Sequence, residues 1–259
     1  MASSHPLIAG VSEDLFNMDD TIQKAAYAGN LALVEMLRRK GFSVADDFDL
    51  DGRSAVHWAS AGGHIHILEH MLSVDPSGIS RGTLAADDEG WTPLHSAVSS
   101  GHVGVTAFLL ENGADAAAVT KQGRTVLHYL KGSEPLAALV VSKLSGSNAL
   151  NKQDNFGCTA MHRAATRGEL EVVKLLLDHG GSATLQDLEG NTPLHSACAA
   201  NEGNVALLLL RHEACSNIAE VRNKQGLTMT DVCATSALRR QIMSLPEIEN
   251  GVSGKKGIA

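Results

Sequence analysis

Aromatic residues are scarce: Phe, Trp and Tyr together supply 3% of the 259 residues. A core built on rings is thereby excluded. Ala, Leu and Val must fill the interior, which suits thin helical layers packed closely. Long apolar runs are absent too, and nothing approaches the roughly 18 consecutive apolar residues of a membrane span. Residues 1–20 lack the basic start and apolar stretch of a secretory signal. The cysteines Cys158, Cys198, Cys215 and Cys233 form no Cys-x-x-Cys pair. That argues against a zinc site or disulfide framework and for a reducing compartment, cytoplasmic and nuclear. Positive charge is in deficit, with 21 Lys and Arg against 29 Asp and Glu and a formal net charge of -8. Nucleic acid is therefore not an expected partner, and a basic protein surface fits better.

Catalytic patterns are also missing. There is no Gly-x-Ser-x-Gly elbow and no His-Glu-x-x-His helix. Gly251-Val252-Ser253-Gly254-Lys255-Lys256 lacks the spacing of a phosphate-binding loop and has no strand before it. Of the 12 histidines, His66 and His70 stand one turn apart on a predicted helix and could share a metal. Glu69 points elsewhere on that helix, so no metal is expected. No cofactor and no enzymatic reaction are expected either.

What the chain does have is an internal repeat. Thr92-Pro93-Leu94-His95 recurs as Thr192-Pro193-Leu194-His195, with weaker copies at Ser54-Ala55-Val56-His57, Thr125-Val126-Leu127-His128 and Thr159-Ala160-Met161-His162. The five histidines lie 38, 33, 34 and 33 residues apart, and a glycine precedes each by five positions: Gly52, Gly90, Gly123, Gly157 and Gly190. The glycine suits the positive-φ corner of a tight turn, and Asp49, Asp87, Asp154 and Asp187 can hydrogen-bond the turn backbone. Thr or Ser caps a helix, Pro fits its first position, and the His is placed to bond a neighbouring turn. A second amphipathic helix follows, as in Leu170, Val172, Val173, Leu176 and Leu177, and Gly180 ends it.

These residues at this period resemble the ankyrin repeat. The fold expected is all-α: a solenoid of about seven helix-turn-helix repeats with short β-turn fingers, near residues 21–48, 49–86, 87–119, 120–153, 154–186, 187–222 and 223–245. The outer two are degenerate, as capping repeats are. Residues 1–20 and 246–259 read as flexible tails, and Ser73 to Thr83, with Pro76, Gly78 and Gly82, reads as a lengthened outer loop. A monomer is expected.

The non-consensus residues go further. Asp51-Gly52-Arg53-Ser54-Ala55-Val56-His57-Trp58-Ala59, Gly90-Trp91-Thr92-Pro93-Leu94-His95, Thr159-Ala160-Met161-His162-Arg163-Ala164-Ala165 and Gln186-Asp187-Leu188-Glu189-Gly190-Asn191-Thr192 together resemble the gankyrin family. That family is a non-ATPase regulatory subunit of the 26S proteasome. The resemblance covers roughly Thr21 to Cys233 and implies an assembly chaperone that holds the C-terminal domain of a proteasomal ATPase subunit in its concave face. Ser196-Ala197-Cys198-Ala199-Ala200 stands where animal members carry Leu-x-Cys-x-Glu, so their pocket-protein binding is not implied. Lys131-Gly132-Ser133-Glu134-Pro135 erodes the fourth repeat.

In such repeats the turn tips and inner-helix ends line one concave surface. The protein-binding residues expected there are Asp51, Arg53, Trp58, Asp88, Glu89, Trp91, Lys121, Arg124, Phe156, Arg167 and Glu189. The first fingers read as acidic and the middle, with Lys121, Arg124, Lys131, Arg163 and Arg167, as basic. Such a bipolar face would set register and steering, with Trp58 and Trp91 as anchors. The alternative function is a regulatory adaptor or inhibitor of a kinase or transcription factor. A recruiting module of a ubiquitin ligase would need a further domain, for which the chain has no room.

Overall fold

The computed structural model describes residues 21–132, 134–146, 148–212, 215 and 218–245. Among them are thirteen α-helices and no strand. The first repeat contributes α1 (Ile22–Tyr27) and α2 (Leu31–Arg39). The second contributes α3 (Ala55–Gly62) and α4 (Ile65–Val74), followed by α5 (Pro76–Leu84). Next come α6 (Pro93–Ser100) and α7 (Val103–Glu111), then a 3-10 turn, Val126–Tyr129, with α8 (Glu134–Leu144). The pairs α9 (Ala160–Thr166) with α10 (Leu170–Asp178) and α11 (Pro193–Ala199) with α12 (Gly203–Arg211) follow. The last helix is α13 (Ser236–Met243).

Each inner helix starts for a local reason. At Ser54, Thr92, Thr125, Thr159 and Thr192 a capping box closes on the His three residues on. The cap residue's backbone N–H donates to Nδ1 of that His, at 3.1 Å in Thr159–His162 and 3.3 Å in Thr92–His95. The ring proton therefore sits on Nε2, which donates to a carbonyl of the next finger: His57 to Trp91 (3.1 Å), His128 to Cys158 (3.2 Å), His162 to Asn191 (3.0 Å). One ring thus caps its own helix and ties its repeat to the next; the sequence motif suggested the tie and not the ring's share in the cap.

The stack runs α1 on α3 on α6 on the 3-10 turn on α9 on α11. Small residues set the spacing: Ala25, Ala26, Ala59, Ala97, Ala164, Ala165 and Ala197 are all buried between inner helices. The outer helices add the apolar mass, with Leu37, Leu68, Leu109, Val140, Leu176 and Leu209 buried. Burying such a side chain contributes about 1.5–3 kcal/mol each. No repeat closes this core alone, so neighbours stabilise one another.

The fingers join edge to edge. Asp88 N donates to Asp51 O, Lys121 N to Glu89 O, Asn155 N to Gln122 O, Leu188 N to Phe156 O and Lys224 N to Glu189 O, all at 2.8–3.0 Å. Gly157 lies at this seam: a Cβ there would fall 2.7 Å from Leu188 N, and its φ of +75° favours glycine as well.

Two segments depart from the sequence reading. Residues 76–84 are not a loop but α5, begun by Asp75, whose carboxylate accepts from Gly78 N at 2.9 Å, and by Pro76 at the first position. Gly82 lets it seat against Val56, where an added Cβ would come within 2.6 Å of the Val56 side chain, and Ile79 is fully buried. Residues that punctuate loops here serve as a cap and a close contact. In the fourth repeat the inner helix shrinks to the single 3-10 turn ahead of Gly132. The expected tails, 1–20 and 246–259, lie outside the described residues.

Candidate protein-binding face

Each finger is organised by its first residue. Asp87 Oδ1 accepts from Glu89 N and Trp91 N at 2.9 and 2.8 Å. Asp49, Asp154, Asp187 and Asn223 repeat the arrangement, and the Thr120 hydroxyl accepts from Arg124 N at 3.3 Å in the third finger. These side chains are therefore scaffold, as read from the sequence.

The second carboxylate oxygen reaches a neighbour. Arg53 Nε donates to Asp87 Oδ2 at 2.8 Å, across to the next finger. Arg124 Nε (3.1 Å) and Arg163 Nη2 (2.6 Å) converge on Asp154 Oδ2, whose side chain is fully buried. Burial alone would raise the Asp154 pKa, but hydrogen bonds from Arg163, Phe156 N and Arg124 outweigh it and hold the carboxyl below its ordinary range. Arg167 lies along the surface while its guanidinium donates to the carbonyls of His128 (3.3 Å) and Leu130 (2.7 Å), bracing the 3-10 turn.

Arg53 and Arg124, expected as partner contacts, each spend Nε on a neighbouring carboxylate, and Arg167 spends both Nη groups on carbonyls. The basic middle of the bipolar face keeps its charge, with part of each guanidinium tied to its own chain. Lys131 is exposed, with Nζ 3.5 Å from Ser99 O. The reason is geometric, since a planar fork at a finger tip meets the carboxylate or carbonyl of the adjacent repeat before it meets solvent.

The remaining expected residues face outward. Asp51, Asp88, Glu89, Lys121, Phe156 and Glu189 are exposed, with Lys121 Nζ 3.9 Å from Glu89 Oε1. Trp58 and Trp91 are partly buried and their indole N–H groups are satisfied, by Asp49 Oδ2 at 2.7 Å and Ser96 Oγ at 2.9 Å. Two further rings escaped the sequence reading. Tyr27 meets Trp58 edge-on at 5.6 Å, and Tyr129 meets Trp91 at 4.7 Å. Guanidinium groups sit over the rings, Arg53 on Trp58, Arg124 on Tyr129 and Arg163 on Phe156. Leu50 and Leu188 are exposed at the second position of their fingers. Each is an apolar residue where the other fingers carry Asp88, Lys121, Asn155 and Lys224.

Toward the last repeats the face hollows into a cavity of about 470 Å³, walled by Thr166, Ser196 and Ala199 from helices and by Glu189, Asn223 and Gln225 from fingers. Fingers and inner helices therefore line one concavity. On the other side His66 Nε2 meets Gly29 O and His70 Nε2 meets Glu35 Oε1, so the two rings serve separate partners. Among the described residues no cluster of three or more His, Cys, Asp or Glu could hold a metal. Among them, too, no helix is long and apolar enough to cross a membrane. The Cys158 thiol is half-buried, and burial pushes its pKa up.

Comparison with known proteins agrees with this architecture. An ankyrin-repeat family model matches in three copies, at residues 22–120, 79–148 and 131–220. Among curated relatives, bovine ankyrin repeat and SOCS box protein 3 is 33% identical over 166 residues, 64% of this chain and 31% of that protein. The chain thus spans about a third of that relative's length. The 26S proteasome non-ATPase regulatory subunit 10 of Dictyostelium discoideum is 37% identical over 97 residues, covering 38% of this chain and 40% of that protein. The probable 26S proteasome regulatory subunit p28 of Saccharomyces cerevisiae is 34% identical over 137 residues, 52% of this chain and 59% of its own. The human ASB11 ankyrin repeat domain superposes with a TM-score of 0.64 at 22% identity, over 86% of this chain and 96% of that domain. With the family model running from residue 22 to 220 over the stacked helix pairs, the chain belongs to the ankyrin-repeat family, whose fold is a scaffold for protein–protein interaction.

Proposed function

We propose that the chain works by binding a protein in its concave face, as an assembly chaperone of the proteasome regulatory particle, and that it catalyses no reaction. The observation that carries this reading is where the few rings lie. Of the eight described aromatics, Tyr27, Trp58, Trp91, Tyr129 and Phe156 line the finger and inner-helix side, whereas Phe108 is in the core and Phe42 and Phe48 are exposed between α2 and the first finger. A chain so poor in rings that places five of eight on one side favours contact there, because aromatic and arginine side chains dominate binding hot spots. Two relatives named as proteasome regulatory subunits, at 34–37% identity over part of the chain, favour a proteasomal client. The client proposed is the C-terminal domain of one ATPase subunit, held by a monomer in the cytoplasm and nucleus.

Calorimetric titration with the C-terminal domain of each proteasomal ATPase tests this. Salt-sensitive binding to one domain is the expected result. Binding to none would overturn the chaperone reading. A regulatory adaptor is the second reading, favoured by the mouse B-cell lymphoma 3 protein homolog, 34% identical over 139 residues. Binding to a transcription factor or kinase, with no ATPase domain bound, would establish it.

A further inference from the structure

The concave face divides its charges into two kinds. Around the first three fingers, Arg53 is matched by Asp87, and Arg124 with Arg163 by Asp154. The exposed carboxylates of Asp51, Asp88 and Glu89 have no such match, apart from Lys121 at 3.9 Å from Glu89. The first four repeats carry Tyr27, Trp58, Trp91 and Tyr129, in two edge-to-face pairs. The indole N–H groups of both tryptophans are already bonded inward, so their outward edges are apolar. Leu50, at the tip of the first finger, adds a fully exposed apolar side chain.

Apolar edges and unmatched carboxylates on the same repeats suit one side-chain chemistry: a long aliphatic stem ending in a cation. The stem covers the ring edges and the head reaches the carboxylates. An acidic segment would instead face the like charge of three exposed carboxylates.

We propose that the first three fingers form a recognition shelf for a basic protein segment. Its lysine or arginine stems lie across Trp58 and Trp91, and its cationic heads reach Asp51, Asp88 and Glu89. Arg53, Arg124 and Arg163 hold the shelf in shape rather than touch the partner. The inference rests on the concave face being the binding surface, and it assigns the chemistry of the partner at one end of it.

The chain carries two tryptophans, both in the shelf, so emission reports directly on its occupancy. The full chain is titrated with a synthetic helical Lys/Leu peptide and with a Glu/Leu peptide of equal length. The Lys/Leu peptide is expected to shift tryptophan emission, with affinity falling as salt rises, while the Glu/Leu peptide leaves it unchanged. The triple variant Asp51→Lys, Asp88→Lys, Glu89→Lys should bind the Lys/Leu peptide at least about tenfold more weakly. Its melting temperature should be unchanged, since these side chains project to solvent. Equal or tighter binding of the Glu/Leu peptide, or undiminished binding by the triple variant, overturns the shelf. The two readings fail separately. Basic-peptide binding with no ATPase domain bound overturns only the chaperone reading, and an ATPase domain bound equally by the triple variant overturns only the shelf.

Discussion

At the residue scale the repeated histidine does the most. His57 and His95 are fully buried, and burial lowers their pKa from 6.5 to about 4. Burial likewise lowers His128, His162 and His195. Each ring accepts a backbone N–H at Nδ1, so a second proton would both charge a buried group and replace that acceptor with a donor. The unfolded chain binds the proton more readily, so stability is fully present above pH 6.5 and is lost as pH falls toward 4. His57 and His95 alone should each cost about 2 kcal/mol between pH 7 and pH 5. The urea midpoint followed by circular dichroism should fall clearly over that interval. An unchanged midpoint would mean that the rings already titrate normally in the fold. The role of these histidines was legible in the sequence because five copies at a fixed spacing separate a structural residue from a ligand. The engagement of Arg124 and Arg167 was not, since the groups that receive them come from other repeats.

At the element scale α5 shows how local signals mislead. Pro76, Gly78 and Gly82 read as loop residues, yet Asp75 caps a helix, Pro76 needs no N–H partner at its first position, and Gly82 meets Val56. The packing surface supplied by α3 and α4 overrides the weak propensity of two glycines. Ile79 anchors this helix, so Ile79→Ala should destabilise the protein by about 2–4 kcal/mol in urea unfolding. Tryptophan emission of the native variant should stay as it is, because the anchor lies away from the finger face. A loss below about 0.5 kcal/mol would return the segment to the loop first read from its sequence.

At the scale of the whole molecule the fourth repeat is the weakest joint, because one 3-10 turn replaces an inner helix. Arg167 spans it, donating from α9's end to the carbonyls of His128 and Leu130. A solenoid holds together through such nearest-neighbour contacts. Arg167→Ala should therefore uncouple the two halves. Tryptophan emission reports only the N-terminal half, whereas circular dichroism reports both. In the variant the two urea transitions should separate, and coincident transitions would show that the joint does not depend on this side chain.

The sequence by itself determined the repeat period, the helix caps, the small-residue seam between inner helices and the turn-forming aspartates. All of these depend on neighbours within a few residues, or on a period that copies the same neighbours again. Only the tertiary structure decided which charges remain available on the concave face, that Tyr27 and Tyr129 join the tryptophans there, and that residues 76–84 are helical. Those outcomes depend on groups about one repeat apart, such as Arg53 with Asp87, and on contacts that exist only once the helices have stacked.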